Sequence, residues 1–282
     1  MQPHRLLERI EASEGLERAA APVAQAAGRA LPPGPLKDAL SGTWLGHALH
    51  PVLTDVPIGT WVSAAILDLF GGAGTRDAAR KLVGAGLLAA VPTAVTGLAD
   101  WSDTQGRDNR TGVAHASANT LALAAYGASY AARRAGRHRL GVALGFAGGA
   151  IASAGAYLGG HLSLARGVGV DQATFEAPPG EWTRVADEAD LADGRPHHVH
   201  VSGTGVVLVR SGDRVHALVS RCSHLGGPLD EGDVDGGTVT CPWHGSVFRL
   251  DDGAVVRGPA RAPQPVLDAR VRDGGVEVRA PG

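Results

Sequence analysis

The chain has 282 residues and a formal net charge of −2 at pH 7. That length allows two domains, and the near-neutral balance, with no basic stripe interleaved with aromatics, excludes a nucleic-acid binder. Charge is spread unevenly: stretches 82–99, 113–132 and 140–160 carry none, counting His115 as neutral, whereas residues 181–282 are rich in Asp, Arg, Gly and Val.

Residues 1–30 alternate charged residues with Ala and Leu. No apolar core follows a basic start, so they do not read as a secretory signal. Leu6, Leu7 and Ile10 with Glu8 and Glu11 predict a short amphipathic helix, ended before Pro32-Pro33-Gly34-Pro35. Such a helix rests either on its own protein or on a membrane surface.

A bilayer core needs about 20 mostly apolar residues in a helix. The three uncharged stretches meet this. A fourth, about 45–70, is less clean, because it holds His47, His50, Asp55 and Asp68 with Pro51 and Pro57. An aspartate near the middle of a span costs roughly 2.5–3.5 kcal/mol on insertion scales, so Asp55 is expected to face the bundle interior with a partner. Small residues such as Gly141, Gly145, Gly148 and Gly149 let helix backbones approach closely in lipid. The expected fold is an N-terminal four-helix transmembrane bundle.

Four spans place both termini on one side. Loops 71–81 and 133–139 carry seven Arg and Lys, and the opposite face five. By the positive-inside bias both termini are then extracytoplasmic, in a multi-pass protein of the cell membrane. Arg133-Arg134 before a Gly-rich span also resembles a twin-arginine signal; ordinary topology charge is the favoured reading of the pair.

The same parity puts His47, His50, His115 and His161 within about two turns of one membrane face. It is the face on which the C-terminal domain must sit. Ionisable residues in spans are functional hypotheses by default. Two of these histidines on facing helices could hold a b-type haem through both axial positions. With Asp100 or Asp103 they could hold another metal, and histidines hydrogen-bonded to interfacial loops are the plainer alternative.

The stretches "GHALHPVLTDVPIGTW" (46–61), "GLADW" (97–101) and "YLGGHLSLARGVGV" (157–170) resemble a bacterial four-helix membrane-domain family of unassigned function. The likeness covers about 43–170, implies the four-span layout and supplies no activity.

The only two cysteines each precede a histidine at short range: Cys222-x-His224, then Cys241-x-x-His244. A disulfide would leave both histidines unexplained, and zinc fingers group C-x2-4-C before H-x3-5-H. Alternating Cys-His, Cys-His is instead the ligand order of a Rieske [2Fe–2S] centre, with the cysteines on one iron and the histidines on the other. Strands must hold the two loops together, and five segments separated by Gly-rich turns read as strands: 206–210, 214–220, 238–241, 246–250 and 275–279. "CSHLGGPL" and "CPWHGSVF" resemble the two cluster loops of the Rieske family, and the whole of 181–282 looks like one complete all-β domain of it. The chain is thus read as an N-terminal region 1–42, a membrane domain 43–165, a linker 166–180 and a Rieske domain 181–282.

That resemblance implies a class. Members that oxidise quinols carry a further cysteine in each loop, forming a disulfide, and a Ser and a Tyr that hydrogen-bond the sulfurs. Here Gly227 and Trp243 stand at the cysteine positions; Ser246 is kept as a residue supporting the cluster, and Phe248 replaces the tyrosine. The ferredoxin-type domains of oxygenase systems are the nearer match, with an intermediate-to-low potential expected. His216 and the run His197, His198, His200 are off ligand spacing and read as strand or turn surface.

No second domain for a mononuclear iron follows, and no Gly-rich dinucleotide motif is present. No site of substrate turnover is evident. The expected function is membrane-anchored single-electron transfer between the cluster and a quinone, haem or metal at the histidine-rich face. Serving a separate oxygenase or reductase, and redox or iron sensing, are the alternatives. The expected partners are the lipid bilayer and a redox protein or quinone.

Overall fold

The computed structural model describes residues 3–282. Contacts divide them into two units: residues up to Ala30 with Leu49–Val168, and Leu31–Ala48 with Gly169–Gly282. The stretch 31–48 therefore groups with the C-terminal part, although the sequence reading split it at 42/43.

The first unit is helical. It begins with α1 (Pro3–Glu11) and α2 (Glu14–Ala30), so the N-terminal arm is two helices rather than one. Ser13 makes the break, its Oγ accepting the Leu16 N–H at 3.3 Å. The arm rests on its own protein: Leu7, Ala20 and Ala27 are buried. After α3 (Pro35–Ser41), which belongs to the second unit, come four long helices: α4 (Leu49–Phe70), α5 (Arg76–Trp101), α6 (Gly106–Arg134) and α7 (His138–Gly160), the last prolonged by one π turn. Arg110 of α6 reaches the Glu11 carbonyl at 2.6 Å and the Glu17 carboxylate at 2.7 Å, tying the arm down.

Among the described residues three helices are long and apolar enough to cross a membrane: α4, α5 with its preceding turn, and α7 with its π turn. This corrects the expected four. The helix that falls short is α6, whose uncharged stretch is diluted by His115, Ser117, Asn119, Thr120, Ser129 and two tyrosines. The mixed stretch around 49–70 passes, because Asp55 and Asp68 are its only two acids, it has no Lys or Arg, and most of the remainder is apolar. Asp55 is exposed, against expectation. It lies on the second turn of α4, about 9 Å from its start, and so needs no interior partner.

The four helices form two hairpins, α4 with α5 and α6 with α7. An internal repeat relates them. Asp68 and Arg133, 65 residues apart, form an ion pair whose side chains are 4% and 2% exposed, with one contact of 2.8 Å. Trp61 and Tyr126 share that offset and stack at 4.0 Å and 14°. His50 and His115 share it too, their ring centroids 6.3 Å apart. Each hairpin thus presents the same three positions to the other. Arg133 is consequently a buried structural charge at the end of α6 and not part of a loop. Lys37 is buried as well; the two-sided count of loop charge presumes four spans, and with three apolar helices it no longer assigns the sides.

The second unit is all-β apart from α3. A six-stranded sheet runs β1 (Thr183–Asp187), β10 (Gly275–Arg279), β9 (Val266–Arg272), β4 (Arg214–Val219), β3 (Thr204–Ser211), β2 (Pro196–Val201). A four-stranded sheet runs β5 (Asp233–Asp235), β6 (Thr238–Thr240), β7 (Val247–Arg249), β8 (Val255–Arg257). All these pairings are antiparallel. On β3, Val206 and Leu208 enter one core and Val207 and Val209 another, as the two-residue period of a strand dictates. The second core contains Cys222, Cys241 and Phe248. The five predicted strands are all present. His197, His198 and His200 lie on β2 and His216 on β4, outside the cysteine loops.

Candidate metal centre

The two cysteine loops are built alike. Cys222 N–H donates to Gly227 O at 2.8 Å, and Gly226 N–H returns to Cys222 O at 2.9 Å. In the other loop Cys241 N–H donates to Ser246 O at 2.8 Å, and Gly245 N–H returns to Cys241 O at 3.1 Å. Both turns close through a left-handed residue, Gly226 at φ 76° and Gly245 at φ 74°, where a side chain would strain the backbone. The first loop leaves β4 of the six-stranded sheet and the second joins β6 to β7 of the four-stranded sheet, and the two cysteines meet in the core that both sheets share.

The thiols are free and buried, so the disulfide alternative is not formed. They hydrogen-bond one another, and further backbone bonds reach Cys222 from His224 and Leu225 and Cys241 from Trp243 and His244. The pair shares its proton unequally. The bond from Cys222 lowers Cys241 to about 7, helped by its backbone donors, while the same bond and burial push Cys222 up. The imidazoles of His224 and His244 stand 5.1 Å apart at 85°. Burial first, then the nearby His244, Arg261 and Lys37, holds His224 well below the usual imidazole range, in the neutral form that ligates metal.

This arrangement fits a two-iron cluster. Two sulfurs lie together and two imidazoles lie together, and among the described residues no group of three or more His, Cys, Asp and Glu gathers as one ion's ligand set. Gly227 leaves the necessary room: a Cβ there would stand 2.8 Å from the Cys241 sulfur and 3.1 Å from the Trp243 ring. Cys222 and Cys241 would hold one iron, His224 and His244 the other.

Two supports escaped the sequence reading. Buried Gln264 accepts the Ser223 N–H at 3.0 Å and donates to the carbonyls of Val219 and Arg221 at 2.7 and 2.8 Å, fixing the first loop. Nothing in its spacing to the cysteines marks it. Residues 31–48 also pack here: Arg261 donates to Ser41 O at 2.7 Å, and Thr43 to Ala260 O at 3.1 Å. With His47 and Ser223 they leave a cavity of about 130 Å³ beside His224. His224 is buried, whereas Trp243 next to His244 is 57% exposed. Ser246 Oγ accepts the Ala260 N–H at 3.0 Å, which leaves its own proton available to another acceptor.

Of the four histidines expected to converge, one pair is seen together within the helical unit. His47 belongs to the unit of the cysteine loops. His161 bonds Glu11 at 3.0 Å. His50 and His115 stand together in the helical unit, and among the described residues no group of three or more His, Cys, Asp and Glu forms one ligand set. Chain parity ignores where each helix begins, and that decides these positions.

Comparison with known proteins agrees with this architecture. Residues 181–269 match the Rieske [2Fe-2S] domain and residues 46–172 a predicted membrane protein domain, DUF2231. Ferredoxin CarAc of Metapseudomonas resinovorans is 32% identical over 98 residues, 34% of this chain and 92% of that protein. The anthranilate 1,2-dioxygenase ferredoxin subunit of Burkholderia cepacia is 31% identical over 103 residues, 36% of this chain and 95% of that one. The solved ferredoxin of carbazole 1,9a-dioxygenase from Nocardioides aromaticivorans IC177 is 30% identical, covering 38% of this chain and all of its own, with a TM-score of 0.34. Longer relatives are matched over only 16% to 23% of their length. Paired thiols facing paired imidazoles between two small sheets, and near-complete coverage of two ferredoxins, lead to one conclusion: the chain belongs to the Rieske [2Fe-2S] family through residues 181–269, joined to a DUF2231 membrane domain.

Proposed function

We propose that this protein is a membrane-anchored single-electron carrier that exchanges electrons with a redox partner at the bilayer, a quinone or a protein. The observation that carries the reading is the pairing of two buried thiols with two imidazoles in a chain whose other unit has three helices apolar enough to span a membrane. When bound, the cluster supplies one reversible electron. Cys222 and Cys241 would supply thiolate charge, and neutral His224 and His244 would leave the second iron the easier one to reduce. Trp243, beside His244, is exposed, and the partner would meet it there.

A second reading is favoured by the ferredoxin relatives, whose names attach one to anthranilate 1,2-dioxygenase and another to carbazole 1,9a-dioxygenase. On it the helices are an anchor and the electron goes to a separate oxygenase. One experiment separates the two. The full chain is prepared anaerobically in lipid nanodiscs, reduced with dithionite freed of excess reductant, and mixed with a short-chain quinone or a soluble one-electron acceptor protein. Reoxidation by the quinone that needs the helical unit supports the first reading. Reoxidation by the protein acceptor alone supports the second, and no paramagnetic cluster signal after dithionite sinks both.

Phe248 bears on the potential. It is fully buried in the core that contains both cysteines, and has no hydroxyl to give a sulfur. A hydrogen bond to sulfur stabilises the more negative reduced state. At about 1 kcal/mol for a net bond, Phe248→Tyr is expected to raise the midpoint by about 40 mV for one electron. Protein-film voltammetry measures it, and a fall would show that position 248 does not face the sulfurs.

A further inference from the structure

The internal repeat of the helical unit brings two histidines to equivalent positions. At equivalent places the hairpins present Trp61 to Tyr126 and Asp68 to Arg133; at the third place they present His50 to His115. The two histidines are set identically. His50 Nδ1 lies 2.9 Å from the Thr93 carbonyl on α5, and His115 Nδ1 lies 2.8 Å from the Gly155 carbonyl on α7. Each ring lies against a glycine one turn further along the same helix. A Cβ at Gly97 would stand 2.7 Å from His50 Cε1, and a Cβ at Gly159 would stand 2.9 Å from His115 Cε1. Both hairpins have kept the ring, its carbonyl and its space.

The carbonyls decide the tautomer. A carbonyl oxygen only accepts, so Nδ1 of each ring must carry the proton. The lone pair of each neutral imidazole is then on Nε2, the arrangement found when a ligating histidine gives its other N–H to the backbone. Asn119 Nδ2 lies 3.2 and 3.3 Å from the two ring nitrogens of His115, singling out neither, and donates to the His115 carbonyl at 3.0 Å. Separation is the second criterion. Metal–nitrogen bonds of about 2.0–2.1 Å on opposite sides of one ion place two ring centroids roughly 6 Å apart. The observed value is 6.3 Å, with the rings at 85°.

We propose that His50 and His115 form a bis-imidazole site for one transition metal on the axis relating the two hairpins. The shared chemistry is axial imidazole ligation, and the metal is either a bare ion such as copper or zinc or the iron of a haem. As a second redox centre the site rests on the electron-carrier reading; as a metal site it stands on its own geometry. Glutamine at either position removes the ring nitrogen while keeping a polar side chain.

The test uses the full chain purified in detergent with its iron–sulfur centre. Elemental analysis and the pyridine haemochromogen spectrum are read on the wild type, His50→Gln, His115→Gln and His161→Gln, before and after titration with Cu²⁺, Zn²⁺ or haemin. Expected is a single equivalent of metal beyond the cluster iron, bound at least tenfold more weakly in the first two variants and unchanged in His161→Gln. A haemochromogen band identifies haem; metal without the band identifies the bare ion. For a bare ion, X-ray absorption at the copper or zinc edge gives a readout free of any folding defect in the variants and must show two imidazole nitrogens; for haem, the low-spin bis-imidazole ferric signal in paramagnetic resonance of the oxidised protein, where the cluster is silent, serves instead. No extra metal and no uptake, equal binding in all variants, or a metal shell without imidazole each overturns the site. Such a result beside an intact cluster signal leaves the electron-carrier reading standing, and a missing cluster signal beside a filled histidine site sinks only that reading.

Discussion

Cys222→Ser is expected to abolish the iron centre. A serine oxygen does not replace a thiolate on ferric iron, and the remaining Cys241 cannot hold that iron with its backbone donors alone. Acid-labile sulfide and iron should fall at least tenfold, and the paramagnetic signal after dithionite should vanish. The β unit should nevertheless fold. Its first loop is closed by backbone bonds, Cys222 N–H to Gly227 O and Gly226 N–H to Cys222 O, and by the Gln264 side chain, none of which uses the sulfur. Protection of the β3 and β4 amides from hydrogen exchange would report this. His216→Ala is the comparison: that ring sits on β4, 3.4 Å from Asp251, and the variant should keep its iron. If Cys222→Ser retained the cluster, or His216→Ala lost it equally, the ligand assignment would be wrong.

The second large effect concerns the helical unit. Asp68→Leu should destabilise it by roughly 3–5 kcal/mol, the usual cost of stranding one partner of a buried ion pair. The side chains of Asp68 and Arg133 are almost wholly covered, so solvent screening does little for the survivor. Arg133 retains Ser129 Oγ at 3.2 Å, too little to compensate a whole charge. Arg133→Leu should cost a similar amount by stranding the carboxylate. The double variant, with an apolar pair of comparable volume, should recover most of the loss, because neither charge is then buried alone. Unfolding of the helical unit in mixed micelles gives the cycle. Additive losses would mean that the two side chains do not interact, and the repeat would lose one of its three matched contacts.

Short-range information marked most of the candidate metal centre. Cys222, His224, Cys241 and His244 could be picked out because chelating loops are local: two ligands two or three residues apart, on either side of a strand pair, need little help from the rest of the chain. The apolar runs likewise announced a helical membrane unit, because a span's length and composition are set by the bilayer. The internal repeat was equally available in the spacing of His50, Trp61 and Asp68 against His115, Tyr126 and Arg133. Its weak sequence likeness, Trp against Tyr and Asp against Arg, hid it until the pairs were seen to touch.

Other features were decided only by packing between distant segments. Which histidines meet depends on the faces that α4 and α6 turn to each other, so His50 and His115 pair while His161 goes to Glu11 and His47 to the other unit. Arg133 looks like loop charge in a string of letters and is a buried partner in three dimensions, because α6 continues through it. Gln264 and residues 31–48 reach the first cysteine loop across long separations that no local period records. Local spacing chooses the atoms that could bind metal; burial and the meeting of helix faces choose their charge, their neighbours and the side left open to a partner.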